Sequence, residues 1–176
     1  LRFTPLRGRL GIGTRLEGER ATAARWYRSH GKLVTVVIPT YGDPTHVFAA
    51  VQSIRATTPA ELVRIVVADD GSPPEHQERL RTLEGCELIL GESNTGFAAN
   101  ANRGLRAADP EHDVVLLNSD VVAHDDWLAC LQYAACAADD IGMVGAKLLY
   151  PDGRIQFAGT HRNLGAPEWF DHRFRF

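Results

Sequence analysis

Leu62-Val63-Arg64-Ile65-Val66-Val67-Ala68 is an apolar run that stops at Asp69-Asp70-Gly71-Ser72, a cluster of acidic and small polar residues. Two further runs, at 34–38 and 114–117, end in the same way, at Pro39-Thr40-Tyr41-Gly42-Asp43 and Asn118-Ser119-Asp120. Short β-branched runs are typical of strands buried on both faces, as in a parallel sheet covered by helices. Because ligands of open α/β sheets bind beyond the carboxyl ends of the strands, the three polar clusters predict one shared binding site.

From residue 33 onward, the rest of the sequence also alternates strand and helix signals. Asp43 and Ser72 can each cap a helix that opens with proline, and Pro151-Asp152-Gly153 is a turn sequence. Further strands are predicted at 86–90, 113–117, 143–150 and 154–157. We therefore predict an α/β domain over 33–176, with a mostly parallel sheet flanked by helices and a C-terminal β-hairpin at which the sheet becomes mixed.

Residues 1–32 are predicted to be a linker or an N-terminal extension, because glycines interrupt a basic stretch that has no strand or helix period. A short helix is expected only at 21–28. Gly11-Ile12-Gly13-Thr14-Arg15-Leu16 resembles the glycine-rich phosphate loop of sugar nucleotidyltransferases, but residues 1–10 lack the strand pattern that should precede such a loop. A nucleotidyltransferase therefore remains an alternative interpretation.

The composition limits which binding partners and which cellular location are expected for this protein. A net charge of −3 gives no general attraction to nucleic acid, and no run reaches the roughly 18 apolar residues that span a bilayer. The three cysteines are an odd number without metal-ligand spacing, so we expect reduced thiols and a cytoplasmic protein, which could act at the inner face of the membrane. The start at Leu1 and the aromatic end at Phe176 predict a fragment of a longer protein.

The acidic clusters suggest that a divalent cation and a nucleobase bind at these strand ends. Asp120, flanked by other oxygen-bearing side chains, can hold Mg²⁺ or Mn²⁺, which prefer oxygen ligands, although a turn aspartate explains the tripeptide equally well. Asp69 and Asp70 repel each other unless donors or a cation compensate their charges. One of them can fix the turn while the other faces the pocket, where Asp70 could accept the N–H of uracil or thymine. The preference of glycine and serine for turns would by itself explain Gly71-Ser72.

Two further segments suggest nucleotide contacts. A base that stacks on Tyr41 would gain roughly 1–3 kcal/mol, although a lone tyrosine is also a common rim residue. In 94–104, Gly96 and its small neighbours allow close approach of a ligand, and the start of a helix favours phosphate oxygens. Asn100 is a poor helix former, so its presence there suggests another role. The alternative is that Asn94 and Gly96 only make the turn.

Taken in order, these four clusters resemble a family 2 glycosyltransferase of the GT-A fold, from about Leu33 to Phe176. The segments Asn94-Thr95-Gly96-Phe97 and 148–156 resemble the rhamnosyltransferase-like branch, whose members build bacterial surface polysaccharides. The resemblance implies that Asp120 is the metal-binding end of the Asp-x-Asp motif, with Asn118 in place of the first acid and so one charge fewer at the cation. It also implies a nucleotide-sugar site comprising Pro39, Thr40, Tyr41, Asp43, Asp69, Asp70, Asn94, Gly96, Phe97, Asn100, Asn118 and Ser119.

Within that set, the resemblance assigns Pro39, Thr40, Tyr41 and Asp70 to the base and ribose, and Asn94, Gly96 and Asn100 to the diphosphate or sugar. The implied reaction transfers a sugar, with inversion, from a UDP- or dTDP-linked donor to a glycan or lipid-linked acceptor, with Mn²⁺ or Mg²⁺ as cofactor. Inverting members take their general base from a downstream acidic motif, which is expected beyond Phe176. A non-catalytic nucleotide- or glycan-binding module is the other alternative.

Overall fold

The structure is a computed structural model that describes residues 12–162 and 170–172 of the chain. The chain divides into two units, Leu1–Ala129 and Cys130–Phe176. The elements of the first unit, in chain order, are α1 (Ile12–His30), β1 (Val34–Thr40), α2 (Thr45–Thr57), a 3-10 turn (Ala60–Leu62), β2 (Val63–Asp69), α3 (Pro74–Leu80), β3 (Glu87–Leu90), α4 (Phe97–Arg106) and β4 (Asp113–Leu116). Helix α5 (Trp127–Ala135) begins in the first unit, and four short strands follow it: β5 (Leu148–Leu149), β6 (Ile155–Phe157), β7 (Thr160–Arg162) and β8 (Phe170–His172).

Within the described residues, strands β1 to β4 form one parallel sheet in the order β3-β2-β1-β4. Thr40 at the end of β1 is aligned with Asp69 at the end of β2, and Val37 is aligned with Leu116 at the end of β4. The polar segments that follow these strands therefore leave the sheet at the same edge. This arrangement confirms the predicted α/β fold with a mostly parallel sheet.

Helices cover both faces of this sheet. Successive residues of a strand point to opposite sides, so one strand can contact a different helix on each face. On one face, the fully buried Val36 and Ile38 of β1 belong to the same apolar core as Val51 and Ile54 of α2. On the other face, α4 packs on β1 and β2 through Gly104. A Cβ at that position would lie less than 3.0 Å from Cγ1 of Val37, so the glycine permits a close approach of helix and sheet.

Burial on both faces holds for β1 and β2 but not for β4, where the prediction was wrong. Val114 and Leu116 are 44% and 46% exposed. The reason is position: in the described sheet, β4 is an outer strand with β1 as its neighbour, whereas β1 and β2 are central. An apolar run of four residues does not by itself reveal whether its strand lies at the centre or at the edge.

The predicted C-terminal hairpin is confirmed, with differences. β5 and β6 pair antiparallel around a turn in which the main-chain N–H of Gly153 donates to the carbonyl of Tyr150 at 2.9 Å. The first strand is much shorter than the predicted 143–150. The hairpin also forms a separate two-stranded sheet, so the predicted mixing with the parallel sheet is not seen among the described residues. β7 and β8 form a second antiparallel pair, which the sequence analysis missed.

Helix α1 occupies most of the segment predicted to be a linker with a short helix at 21–28. Where its side chains are described, at residues 18–30, few contact the core: Ala23 is buried, and Tyr27, one turn later, packs against the core. So narrow an apolar contact leaves no clear period in the sequence. The phosphate-loop interpretation of 11–16 is not supported, because residues 12–16 are helical. In the described part of the chain, no helix combines the length and apolar character that crossing a bilayer requires.

Candidate functional site

A cleft of about 560 Å³ lies at the edge of the sheet where β1, β2 and β4 end. Its lining brings together Tyr41, Asp70 and Asp120, which are far apart in the sequence. Every residue of the predicted site except Asp69 lines this cleft, and His46 from the first turn of α2 is an addition that the sequence analysis missed. The full lining is Pro39, Thr40, Tyr41, Asp43, His46, Asp70, Asn94, Gly96, Phe97, Asn100, Asn118, Ser119 and Asp120.

Asp69 and Asp70 have different surroundings. Asp69 is fully buried away from the cleft, and its carboxylate accepts hydrogen bonds from the main-chain N–H of Ser72 (3.0 Å), the Ser72 hydroxyl and the side-chain amide of Gln77 (2.8 Å). These donors stabilise the turn after β2. Asp69 is not among the residues that line the cleft, and its oxygens serve the turn, as one of the two roles expected for this pair of acids. Ser72 is likewise used there and does not cap α3, which begins after Pro73.

Asp70 binds the loop that leads into α4. Its Oδ1 accepts hydrogen bonds from the main-chain N–H of Thr95 (3.0 Å) and from the Thr95 hydroxyl (2.7 Å), and its Oδ2 accepts one from the N–H of Gly96 (2.8 Å). Burial alone would raise the pKa of this carboxyl, but these donors, together with the Arg103 guanidinium at 3.8 Å, lower it below its ordinary value. Asp70 is therefore ionised and held in one orientation at the cleft wall.

The buried Asn100 explains why a poor helix former lies within α4. Its side-chain amide donates to the carbonyl of Ala68 at 2.7 Å and to that of Thr40 at 3.4 Å. Arg103, one turn further along, donates to the carbonyl of Asp69 at 3.0 Å and to the Asn100 side chain at 3.2 Å. Asn100 thus connects α4 to the ends of β1 and β2, and Arg103 connects it to the end of β2. Sequence analysis missed Arg103, although its position three residues after Asn100 places both on one helix face.

Tyr41 and Asp43, which follow β1, have different surroundings in the cleft. Tyr41 is 57% exposed in the cleft, so its ring is accessible to a ligand. Asp43 accepts hydrogen bonds from the Thr45 hydroxyl (2.6 Å) and the Thr45 N–H (2.8 Å), and Arg79 lies 3.2 Å away. The Thr45 hydrogen bonds, with the nearby charge of Arg79, lower the pKa of Asp43. Pro44 occupies the position directly before α2, one residue later than predicted for the cap, but the Asp43 carboxylate still accepts from the N–H of the first helical residue, Thr45.

The loop after β4 presents Asn118, Ser119 and Asp120 to the cleft. The carboxylate of Asp120 is exposed and makes no hydrogen bond or ion pair with another residue that the structure describes. Across the same described ranges, no three His, Cys, Asp or Glu side chains are grouped to hold a metal. A single carboxylate with neighbouring oxygen donors fits Mg²⁺ or Mn²⁺ bound together with substrate phosphates, a common arrangement for these ions. It does not fit a site made of protein ligands alone.

Comparisons with known proteins give a consistent result. The sequence model of the family described as "Glycosyl transferase family 2" matches residues 35–175. A protein of Sinorhizobium fredii named "Uncharacterized protein y4gI" is 32% identical over 154 residues, which is 85% of this chain and 17% of that protein. "Putative glycosyltransferase EpsH" of Bacillus subtilis is 25% identical over 117 residues, which is 63% of this chain and 32% of that protein.

Among solved structures, the mannosyltransferase PcManGT of Pyrobaculum calidifontis, determined with GDP-Man and Mn²⁺, is similar with a TM-score of 0.52. It is 20% identical, and the match covers 72% of this chain and 43% of that one. This likeness supports the fold alone. The chain spans about a sixth of the first relative and a third of the second, so both of these relatives are much longer proteins.

Proposed function

Because the chain belongs to glycosyl transferase family 2, we propose that it is the donor-binding part of an inverting glycosyltransferase. The whole protein would transfer a sugar from a nucleoside diphosphate sugar to a glycan or lipid-linked acceptor. The observation that carries this proposal is the convergence of Tyr41, Asp70 and Asp120 on one cleft at the strand ends. The exposed ring of Tyr41 and the fixed carboxylate of Asp70 suit a nucleobase at one end of the donor. The carboxylate of Asp120, which has no partner among the described residues, suits a cation at the other end.

The hydrogen bonds of Asp70 support a pyrimidine nucleotide. Oδ1 already accepts two hydrogen bonds from Thr95, whereas within the described residues Oδ2 has one donor, the N–H of Gly96. The carboxylate therefore has room for one more donor, which matches the single ring N–H of uracil or thymine. Guanine presents two adjacent N–H groups and would need both oxygens. This count favours UDP or dTDP donors, with the base stacked on Tyr41.

The charge of the cleft supports a divalent cation. Asp43, Asp70 and Asp120 line it, and His46 is the one basic side chain among its described lining residues. A diphosphate would be repelled by these acids unless a cation intervened. Asp120 would hold Mn²⁺ or Mg²⁺, with the side-chain oxygens of Asn118 and Ser119 nearby. When bound, such a cation offsets the charge on the departing nucleoside diphosphate.

The remaining assignments concern the whole protein. The acceptor hydroxyl needs a general base, and we assign this role to a carboxylate beyond Phe176, because Asp43 and Asp70 are already held by Thr45 and Thr95. The 176-residue chain alone should therefore give negligible transfer. The rhamnosyltransferase-like motifs favour a role in bacterial cell-surface polysaccharide synthesis. The three cysteines, all within the described residues, form no disulfide, which agrees with a cytoplasmic location that could include the inner face of the membrane.

Calorimetry on the full-length protein tests this proposal. UDP or dTDP should bind in the presence of Mn²⁺, and Asp120→Ala should weaken that binding at least tenfold, while metal-free binding should stay the same or become stronger because one repelling acid is removed. Asp125→Ala is the matched control, because Asp125 lies on the same loop outside the cleft and makes an exposed ion pair with Arg20 (3.7 Å). Metal-dependent binding that survives Asp120→Ala would overturn the cation assignment. Absence of binding of both nucleotides would overturn the proposed function.

A further inference from the structure

The loop that carries Asn118 and Asp120 has little hydrogen bonding of its own. It leaves the sheet where the N–H of Leu117 donates to the carbonyl of Val37 at 2.9 Å. Inside the loop, one long bond of 3.3 Å joins the N–H of Val121 to the carbonyl of Asn118. Asn118 and Asp120 are both exposed. Their placement at the cleft therefore depends on how the rest of the loop is held.

Ser53 of α2 is the side chain that holds the middle of this loop. Its hydroxyl oxygen accepts a hydrogen bond from the main-chain N–H of Ala123 at 2.9 Å and donates one to the carbonyl of Ala50 at 2.7 Å. Ala123 is buried in the same apolar core as the buried residues of α2. The donor is thus a main-chain group of a buried residue, and it lies three residues after Asp120. Losing its acceptor would free the loop at that point.

Two further contacts hold the end of the loop. The indole N–H of Trp127 donates to the hydroxyl of Thr58, which follows α2, at 2.9 Å. The guanidinium of Arg20 in α1 donates to the carboxylate of Asp126 at 2.7 Å. Both lie six or more residues beyond Asp120, so neither restrains the acidic tripeptide as closely as Ser53 does.

We propose that Ser53 is a positioning residue of the cation site. By accepting from Ala123, it fixes the loop so that Asp120 and Asn118 face the cleft, and so sets the affinity for Mn²⁺ or Mg²⁺. This inference rests on the proposed function, because it presupposes that a cation binds at Asp120. Helix α2 then serves both parts of the site: His46 in its first turn lines the cleft, and Ser53 restrains the cation loop.

The chain offers a matched control on the same helix. Thr57 is half-buried like Ser53, and its hydroxyl donates to the carbonyl of Ser53 at 2.7 Å but makes no bond to the loop. Ser53→Ala and Thr57→Val each remove a hydroxyl that bonds within the helix. Only the first also removes the acceptor of Ala123. A general loss of helix stability should therefore affect both variants, whereas a specific loss of cation affinity should appear only in Ser53→Ala.

The test is calorimetric titration of the full-length protein with UDP and with dTDP, each with and without Mn²⁺. In Ser53→Ala, the gain in affinity that Mn²⁺ confers should fall roughly tenfold, in the range seen for residues that orient metal ligands. Metal-free affinity should stay at the wild-type value, and Thr57→Val should match the wild type in both measurements. An undiminished Mn²⁺ gain in Ser53→Ala, or an equal loss in Thr57→Val, would overturn the inference.

Two outcomes separate this inference from the proposed function. If the wild-type protein gains no affinity from Mn²⁺ for either nucleotide, the proposed cation role fails and the inference fails with it. If the wild type gains affinity and Ser53→Ala does not fold, Ser53→Cys decides the matter, because its sulfur is a weak acceptor for the Ala123 N–H. A reduced Mn²⁺ gain in Ser53→Cys supports the positioning role, and a wild-type gain overturns it.

Discussion

Replacing Gly104 by alanine should destabilise the protein, although alanine is the better helix former. The new Cβ would lie less than 3.0 Å from Cγ1 of Val37 and 3.3 Å from Cβ of Ala68. Both neighbours are fully buried in the adjacent central strands β1 and β2. They cannot yield without moving the sheet, so α4 must shift outward.

The size of the effect follows from two opposing contributions. Alanine in place of glycine inside a helix gains up to about 1 kcal/mol. An extra methyl group forced into a well-packed core costs about 1–3 kcal/mol. The contact with Val37 is tighter than real Cβ contacts allow, so we expect the packing cost to dominate, with a net loss of about 1–2 kcal/mol in the free energy of unfolding. Because α4 carries Asn100 and lines the cleft, nucleotide affinity should fall as well.

Urea unfolding followed by circular dichroism measures the change, with Gly18→Ala as the control. Gly18 also lies in a helix, α1, but a Cβ there would meet nothing within 4 Å. That substitution should leave the free energy of unfolding unchanged or raise it by up to about 1 kcal/mol. The reasoning is refuted if Gly104→Ala is as stable as the wild type, or if both variants lose stability equally.

Two further predictions concern the surroundings of Asp70. Arg103→Gln should lower metal-free affinity for UDP several-fold, because Arg103 supports the Asp70 carboxylate and the end of β2. Arg106→Gln is the control and should leave this affinity unchanged, since Arg106 is exposed. Equal affinities of the two variants in calorimetry would contradict this. The folded-state pKa of Asp70 is lowered, so its ionised form stabilises the fold above its unfolded value of about 4, and this contribution is lost as pH falls through the folded pKa. The stability difference between wild type and Asp70→Asn should therefore shrink between pH 7 and pH 3, and an equal difference at both pH values in urea unfolding would contradict the assignment.

Much of the fold could be predicted because it depends on local composition. The β-branched runs of β1 and β2 have no solvated face, which is compatible with a central position in a parallel sheet and with few other structures. Parallel strands end at one edge, so the polar residues that follow them converge whatever the details of packing. This is why nearly all of the predicted site residues line the same cleft.

The features that the sequence analysis left unassigned depended on contacts that form only on folding. Asp69 and Asp70 are adjacent and chemically identical, but the first meets Ser72 in the turn after β2 and Gln77 of α3, whereas the second meets Thr95 in the loop before α4. Helix α1 was missed for a similar reason, since its packing against the core through Tyr27 gives no periodic signal. The exposure of β4 reflects its place in the strand order, which no single strand encodes.

The amino-acid sequence by itself determined the class of fold, the edge of the sheet at which ligands would bind, and the residue types present there. Those features follow from short-range patterns: β-branched runs, turn residues and polar strand ends. Only the tertiary structure decided which carboxylate faces the cleft, which one secures a turn, and which side chains, such as Ser53 and Arg103, hold the site in place. The physical reason is that a hydrogen bond depends on distances of about 3 Å between groups that folding brings together, and sequence separation does not reveal those distances.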